Sequence, residues 1–271
     1  MGTTINTLAS DADWEKFIST TQAALPSEFK VYHSPRAGDI HRAIDHTQLP
    51  RAESDEIVDN ICSEAHYHSF AAVVVRPKYV RRAVQNLERW PNIAVSCVIS
   101  YPEGTANTIE KEEETHFAVE QGATEIGLVL NRQHLKDRKY TAIYGEIMEV
   151  RKAAPPPIKL KVTLETPELT HDEIVAGSVI VSVAGADFVQ TSTATKNQNP
   201  TFETIGLMRT IADTIGKGTK VKASGSFTTA DQCIQIMKAG ADRVTSVESM
   251  AILQELGSEE LSEQGVGHSM Y

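Results

Sequence analysis

Short apolar runs rich in Val and Ile alternate along the chain with longer segments of helical periodicity. Runs of this kind are typical of strands that are buried on both faces of a parallel sheet. The pattern predicts strands at Ile44 to Thr47, Ala71 to Val75, Ala94 to Ser100, Glu125 to Leu130, Lys159 to Glu165, Asp187 to Ser192, Lys220 to Ser224 and Arg243 to Val247.

The segments between these runs carry helix signals. Helices are predicted at 107–120, 170–183 and 228–239, and Thr170 with Glu173 forms a capping-box pattern. Similar junctions with a glycine at the helix end recur at Gly122, Gly185 and Gly240. Strands in strict alternation with helices predict an α/β fold of the (β/α)8 TIM-barrel type. An open doubly wound sheet is the alternative, weakened because no Gly-x-Gly-x-x-Gly follows the first strand.

The barrel accounts for most of the chain but not for its two ends. We predict a helical N-terminal extension over residues 1–41, the barrel over 42–257, and a polar, mobile C-terminal tail over 258–271.

Composition narrows the classes of function. The 271 residues are 41% hydrophobic and carry a formal net charge of −10, which argues against broad binding to nucleic acid or to anionic membranes. No apolar run reaches the roughly 20 residues of a membrane span, and no secretory signal is visible. The cysteines lack CxxC spacing and the histidines lack metal-ligand spacing. We therefore expect a cytoplasmic protein without metal or cofactor that acts on a small molecule.

Candidate chemistry lies on the inner faces of the strands. Alternation turns Lys161 with Thr163 and Glu165, Gln190 with Ser192, and Lys222 with Ser224 towards the barrel interior. Because an unpaired buried ammonium is costly, each lysine must either pair with a carboxylate or lose its proton. A neutral lysine can form a Schiff base with a carbonyl compound. A structural pair of Lys161 with Glu165 or Asp45 remains an equal alternative to a catalytic role for Lys161.

Small polar residues follow the last strands, where a barrel commonly binds phosphate. We predict a substrate or anion site there, although ordinary loop chemistry explains the same composition. Its candidate residues are Thr191, Ser192, Ser224, Gly225, Ser226, Thr245 and Ser246.

Several stretches of the sequence, occurring in the right order along the chain, resemble the deoxyribose-phosphate aldolase family, whose members are class I (Schiff-base) aldolases. They are Ile44 to Thr47, Ala71 to Pro77, Tyr101 to Gly104, Leu160 to Thr166, Ala184 to Thr193 and Val221 to Gly225. The resemblance implies a (β/α)8 lyase that needs no cofactor, binds a small carbonyl substrate that can be phosphorylated, and can form a homodimer.

The chain departs from the family pattern where the chemistry lies. The family's Schiff-base lysine on the sixth strand is Gln190 here, and its fourth-strand aspartate is Gly127. An amide cannot form the iminium. The resemblance retains Lys222, Lys161, Asp45 and a terminal tyrosine, Tyr271. These four residues and Gln190 are the candidate catalytic set.

These departures leave three hypotheses for the function. The main one is a divergent aldolase-like lyase, and the other two are its alternatives. In the first, Lys222 forms the Schiff base with Lys161 as its cationic neighbour. In the second, Lys222 remains protonated and acts as an acid in a non-covalent cyclase or isomerase. In the third, the barrel only binds a metabolite. Because Gln190 and Gly127 remove both the nucleophile and its relay, we expect weak or absent cleavage of deoxyribose 5-phosphate.

Overall fold

A computed structural model describes residues 8–33, 36–50, 54–196 and 198–256. It contains a closed barrel in which each strand pairs in parallel with its neighbours in chain order, and β8 closes onto β1. This arrangement confirms the predicted (β/α)8 barrel. The strands are β1 (Ile44–Thr47), β2 (Ala72–Val75), β3 (Ala94–Ile99), β4 (Glu125–Val129), β5 (Lys159–Thr163), β6 (Phe188–Gln190), β7 (Lys220–Ser224) and β8 (Arg243–Ser246).

Helices follow the strands and cover the outside of the barrel. Residues 249–256 are helical as well, and short 3-10 turns occur at Ala37–Ala43, Pro77–Tyr79 and Thr166–Glu168. The α-helices are α1 (Asp11–Ala23), α2 (Asp55–His68), α3 (Val80–Asn86), α4 (Thr108–Glu120), α5 (Arg132–Lys136), α6 (Tyr140–Ala153), α7 (His171–Val183), α8 (Phe202–Ile215) and α9 (Ala230–Lys238).

Local sequence sets the ends of these elements. The predicted capping box is present at α7, where the Thr170 side chain accepts a hydrogen bond from the Glu173 amide. The glycines at the three similar junctions, Gly122, Gly185 and Gly240, have φ values of 99°, 73° and 118°. A side chain at such a φ would be strained, which is why glycine ends these helices and turns the chain towards the next strand.

Several strands end earlier than the apolar pattern predicts. β3 stops before Ser100 and β5 stops two residues before Glu165, and these two residues have φ values of 56° and 67°. A left-handed residue turns the backbone out of the sheet, so the ladder cannot continue through it. Glu165 therefore lies in a turn and not on the inner face of β5.

The first helix packs against the outside of the barrel. Trp14 of α1 is fully buried, and its ring lies 5.2 Å from that of Tyr144 on α6. The Asp11 carboxylate accepts a hydrogen bond from the amide of Thr141 at the start of α6. Helix α1 lies within the range 1–41 of the predicted N-terminal extension, of which residues 8–33 and 36–41 are described. The predicted mobile tail, 258–271, lies outside the described residues.

None of the helices in the described part of the chain combines the length and the apolar character that a bilayer crossing requires.

A buried ion pair joins α4 to α6 beside the barrel. Lys111 is fully buried, and its Nζ lies 2.8 Å from Glu146 Oε1 and 3.0 Å from the Val129 carbonyl oxygen. Burial lowers the pKa of Lys111 and raises that of Glu146, while their mutual attraction opposes both shifts. Each charge therefore depends on the other to remain ionised in the interior.

Replacing one partner of this pair leaves an uncompensated charge. We expect Lys111→Met to lower the free energy of unfolding by about 3 kcal/mol, and the double variant Lys111→Met/Glu146→Leu to recover most of that loss. Urea unfolding measures both values. The exposed pair of Lys152 and Glu149 supplies the control, since Lys152→Met should cost less than about 0.5 kcal/mol. A double variant as unstable as the single one would contradict this account.

Candidate active site

Five charged side chains converge inside the barrel from five different strands. Each lies on an inward position of its strand, and the strands close around them. The residues are Asp45 of β1, Glu125 of β4, Lys161 of β5, Lys222 of β7 and Arg243 of β8.

Asp45 is the centre of this charge cluster. Its Oδ2 lies 2.5 Å from Lys222 Nζ and 2.6 Å from Lys161 Nζ, and its Oδ1 accepts a hydrogen bond of 2.8 Å from Arg243. The Asp45 side chain is fully buried. Burial opposes its ionisation, but Lys161, Lys222 and Arg243 outweigh that effect and hold the pKa of Asp45 far below its ordinary value.

Glu125 supplies the second carboxylate and was not foreseen from the sequence. It pairs with Lys161 and accepts a hydrogen bond of 3.1 Å from Arg243 Nη1. Burial raises the pKa of Glu125, but Lys161 and Arg243 lower it by more than burial raises it. The pKa of Glu125 therefore lies below its usual value. Glu125 and Arg243 share the inward parity of Gly127 and Thr245 on their strands, so strand alternation was a signal that could have found both.

The sequence offered two carboxylates, Asp45 and Glu165, as partners of Lys161. Lys161 contacts Asp45 and Glu125, whereas Glu165 accepts hydrogen bonds from the Thr193 amide and hydroxyl at 3.0 and 2.8 Å. The left-handed turn at Glu165 carries its carboxylate away from the lysine. Pairing of Lys161 with Asp45 is therefore present, and pairing with Glu165 is not.

Two buried carboxylates thus face three buried cations, which leaves an excess of one positive charge in the interior when every group is ionised. The half-exposed Lys159 lies at the edge of this cluster, 3.5 Å from Glu125 Oε1. Burial lowers the pKa of the Lys222 ammonium to about 8, although Asp45 favours its charged form, and Lys161 lowers it further. Loss of the Lys222 proton would balance the cluster. Near neutral pH the amine of Lys222 is therefore accessible as a minor species.

A cavity of about 430 Å³ lies above the cluster, and both lysines are part of its wall. The Lys222 side chain is only 3% exposed, so its amine is sheltered from bulk solvent but reached from this cavity. The wall consists of Thr47, Gln48, Leu49, Pro50, Val74, Ser96, Val98, Tyr101, Gly127, Val129, Lys161, Thr163, Gln190, Thr193, Ala194, Thr195, Lys222, Ser224, Thr245 and Val247.

Gln190 and Gly127 also line this cavity. Gln190 is the register partner of Lys222 on the neighbouring strand, and its Nε2 donates a hydrogen bond of 2.8 Å to the Ser192 carbonyl oxygen. Gly127 is the register partner of Lys161. The amide of Gln190 and the position of Gly127 therefore lie directly beside the two lysines.

The candidate anion-binding residues separate into two groups. Ser224 and Thr245 line the cavity. The hydroxyls of Thr191 and Ser192 both donate to the Ser224 carbonyl oxygen, at 3.1 and 2.8 Å, and the Ser246 hydroxyl donates to the Phe227 carbonyl oxygen at 2.8 Å. These three hydroxyls brace neighbouring strands and loops.

The glycine and serine after β7 lie in the loop behind the cavity wall. A Cβ on Gly225 would come within 2.5 Å of Asn199 Oδ1, so this position admits only glycine without displacing the loop before α8. The Ser226 carbonyl oxygen accepts a hydrogen bond of 3.4 Å from Asn199 Nδ2. Neither Gly225 nor Ser226 belongs to the cavity wall, and Tyr271 lies outside the described residues.

No three His, Cys, Asp or Glu side chains among the described residues are grouped as the ligands of a metal ion would be. Inside the described barrel, the reactive groups beside the cavity are the two lysine amines and the Asp45 carboxylate.

Comparison with known proteins agrees with this geometry. Residues 40–241 match the model of the DeoC/LacD family of aldolases. A deoxyribose-phosphate aldolase of Coccidioides immitis is 39% identical over 258 residues, which cover 94% of this chain and 96% of the other. A deoxyribose-phosphate aldolase of Halalkalibacterium halodurans is 39% identical over 215 residues, 79% of this chain and 94% of the other.

Solved structures give the same assignment. A crystal structure from Coccidioides immitis superposes with a TM-score of 0.87 at 39% identity, covering 91% of this chain and 97% of that one. A tetrameric deoxyribose phosphate aldolase of Aeropyrum pernix gives a TM-score of 0.75 at 25% identity, covering 90% and 98%. Since the family model spans most of the barrel and these relatives match nearly their whole length, the chain belongs to the DeoC/LacD family of aldolases.

Proposed function

We propose that this protein is an aldolase-type lyase in which the amine of Lys222 forms a Schiff base with a small carbonyl substrate. The observation that carries the proposal is the position of Lys222. Its nitrogen faces a cavity large enough for a small molecule, and its pKa is lowered to about 8. A lysine nucleophile needs both access to the carbonyl carbon and a neutral fraction.

Lys222 suits this role better than Lys161. Lys161 contacts the carboxylates of both Asp45 and Glu125, whereas Lys222 contacts Asp45 alone. Two carboxylates favour the charged form of an amine more strongly than one. In this proposal Lys161 remains a cation that lowers the pKa of its neighbour, and it also balances Asp45.

The first chemical step conserves charge at Asp45. The neutral Lys222 amine attacks the carbonyl carbon, the carbonyl oxygen takes up protons and leaves as water, and a protonated imine remains. The net change converts one ammonium and one carbonyl compound into one iminium and one water. Asp45, 2.5 Å from Nζ, therefore stabilises the same unit of positive charge before and after the step.

The iminium then acts as the electron acceptor for cleavage. A hydroxyl group on the carbon two bonds from the iminium carbon gives its proton to solvent water, and an aldehyde departs as the carbon–carbon bond breaks. The bonding pair moves to the enamine on Lys222, which is later protonated and hydrolysed. Gln190, which lines the cavity next to Lys222, is placed to hydrogen-bond substrate oxygen.

The names of the relatives give deoxyribose phosphate as their substrate, and this substrate is a question separate from the mechanism. We propose that deoxyribose 5-phosphate is a poor substrate, because Gln190 and Gly127 occupy the cavity positions where the family pattern has a lysine and an aspartate. The retained lysine would have to act without either group.

The contact between Lys222 and Asp45 favours one alternative to the Schiff base, namely a non-covalent reaction. The distance of 2.5 Å between Lys222 Nζ and Asp45 Oδ2 is that of a close ion pair, which supports an ammonium acting as an acid. In that case the protein would be a cyclase or isomerase on the same scaffold. Trapping of a covalent adduct separates the two mechanisms.

Reduction with borohydride should trap a carbonyl compound on Lys222. With propanal as the probe, we expect one added propyl group, located on Lys222 by peptide mass spectrometry, because the amine is the reacting group nearest the cavity. Lys222→Met should abolish the adduct, and Lys161→Arg, which retains the neighbouring charge, should preserve it. An adduct on Lys161 with Lys222 unmodified would refute this assignment.

The acidity of Lys222 should be measurable directly. In a protein with 13C-labelled lysine, the Lys222 Cε signal, identified by its loss in Lys222→Met, should titrate with a midpoint near pH 8, well below the roughly 10.4 of exposed lysines. Because Lys161 lowers the pKa of Lys222, Lys161→Met should move the midpoint upwards. A wild-type midpoint at or above 10 would contradict the proposed nucleophile.

Cleavage of deoxyribose 5-phosphate should be slow. We expect acetaldehyde release at least 100-fold below the order of 10 per second that is typical of enzymes, because both the family nucleophile and its proton relay are replaced. A coupled alcohol dehydrogenase assay measures the product, with the Halalkalibacterium halodurans aldolase as the positive control. Turnover near 10 per second by this protein would show that Gln190 and Gly127 do not limit the reaction.

A further inference from the structure

We propose that the cavity takes an uncharged carbonyl compound with an apolar chain, and not a phosphorylated one. This inference rests on the proposed function for the carbonyl group and extends it to the rest of the substrate. Four features of the described residues carry it: the helix N-termini near the cavity, the hydroxyls around it, the cations near it, and the composition of its wall.

Two amides at the start of the helix that follows β7 are already engaged. The Ala230 amide donates to Glu255 Oε2 at 2.8 Å, and the Thr228 amide donates to Gln232 Oε1 at 2.9 Å. The Thr229 side chain accepts from the Gln232 amide. An anion at a helix N-terminus is held by free amides and by the helix dipole. At α9 the Glu255 carboxylate already occupies that position.

The helical segment after β8 has a carboxylate of its own at its start. Glu248 directly precedes residues 249–256, and its amide donates to the Ser246 hydroxyl at 2.9 Å. Its neighbour Val247 is part of the cavity wall and 49% exposed. Glu248 thus adds negative charge directly next in the chain to a residue of the cavity wall, and that charge disfavours an anion there.

The cations around the cavity are also engaged. Lys161 and Lys222, the charged residues of the wall, are paired with the carboxylates below it. The Arg76 guanidinium lies behind the wall, 5.0 Å from the Tyr101 ring centre, and donates to the Leu49 carbonyl oxygen. Lys196 pairs with Glu168 at 3.0 Å. None of these described cations is placed in the wall as an unpaired partner for a phosphate.

The wall offers apolar surface beside its polar groups. Its aliphatic and aromatic residues include Leu49, Pro50, Val74, Val98, Val247 and Tyr101. Such a surface gains free energy by covering apolar carbon and loses it by desolvating a charge. The hydroxyls of Thr47 and Thr245, which have no partner among the described residues, can serve neutral oxygen atoms of the substrate.

Binding of two unreactive probes tests this inference without relying on imine chemistry. Hexanamide carries an uncharged carbonyl and an apolar chain, and glycerol 3-phosphate carries a phosphate on a chain of similar length. By isothermal titration calorimetry of the full chain, we expect hexanamide to bind with a Kd at least 10-fold lower than that of glycerol 3-phosphate. Equal or tighter binding of the phosphate, or no binding of hexanamide, overturns the inference.

Variants at two exposed valines sharpen this comparison. Val247→Lys adds a cation to the cavity wall, so it should weaken hexanamide binding and strengthen glycerol 3-phosphate binding, each several-fold. Val31 is 66% exposed and outside the wall, so Val31→Lys should leave both affinities unchanged. If Val31→Lys changes the two affinities as Val247→Lys does, the preference is set by net charge and not by this cavity, and the inference fails.

The same titrations separate the two proposals. Hexanamide binding together with an absence of any trapped aldehyde on Lys222 would refute the Schiff base and retain the substrate class. A trapped aldehyde together with tighter binding of glycerol 3-phosphate would retain the Schiff base and refute the substrate class.

Discussion

Asp45 is a fully buried carboxylate on which three cations converge, and the barrel interior depends on this one set of contacts. Lys161, Lys222 and Arg243 reach it from three other strands, and Glu125 completes the cluster. Desolvating so many charges is costly, and only their mutual pairing offsets that cost. Removing the Asp45 carboxylate would leave three cations against Glu125 alone in the interior. The cluster therefore constrains which charges the strands may carry.

The same constraint provides the reactive group. The cations of the cluster outnumber its carboxylates, and burial lowers the pKa of Lys222, which contacts one carboxylate where Lys161 contacts two. A base outside the cluster is not needed to explain a neutral amine. The charge that Asp45 stabilises is also the charge of an iminium, so the contact that keeps the barrel interior intact suits the proposed intermediate.

The proposal of altered chemistry depends on two positions beside the lysines. Gln190 lies in register with Lys222, and Gly127 in register with Lys161, so both departures affect the cavity directly. Two loop contacts support the proposed neutral substrate: the Ser246 hydroxyl donates to the Phe227 carbonyl oxygen, and the Ala230 amide at the start of α9 donates to Glu255. An anion at either place would compete with these internal contacts.

The apolar runs and glycine junctions of the sequence by themselves determined the order of strands and helices, the closed barrel, and the inward direction of Lys161, Gln190 and Lys222. These features follow from local signals, because a strand alternates its side chains and a glycine with a positive φ ends a helix. Only the tertiary structure decided which carboxylate each lysine meets. Glu125 and Arg243 joined the cluster, Glu165 turned away, and the hydroxyls of Thr191, Ser192 and Ser246 bonded to the backbone. Such partners lie far apart in the chain, and their distances are set by the closure and register of the whole barrel, which no local pattern contains.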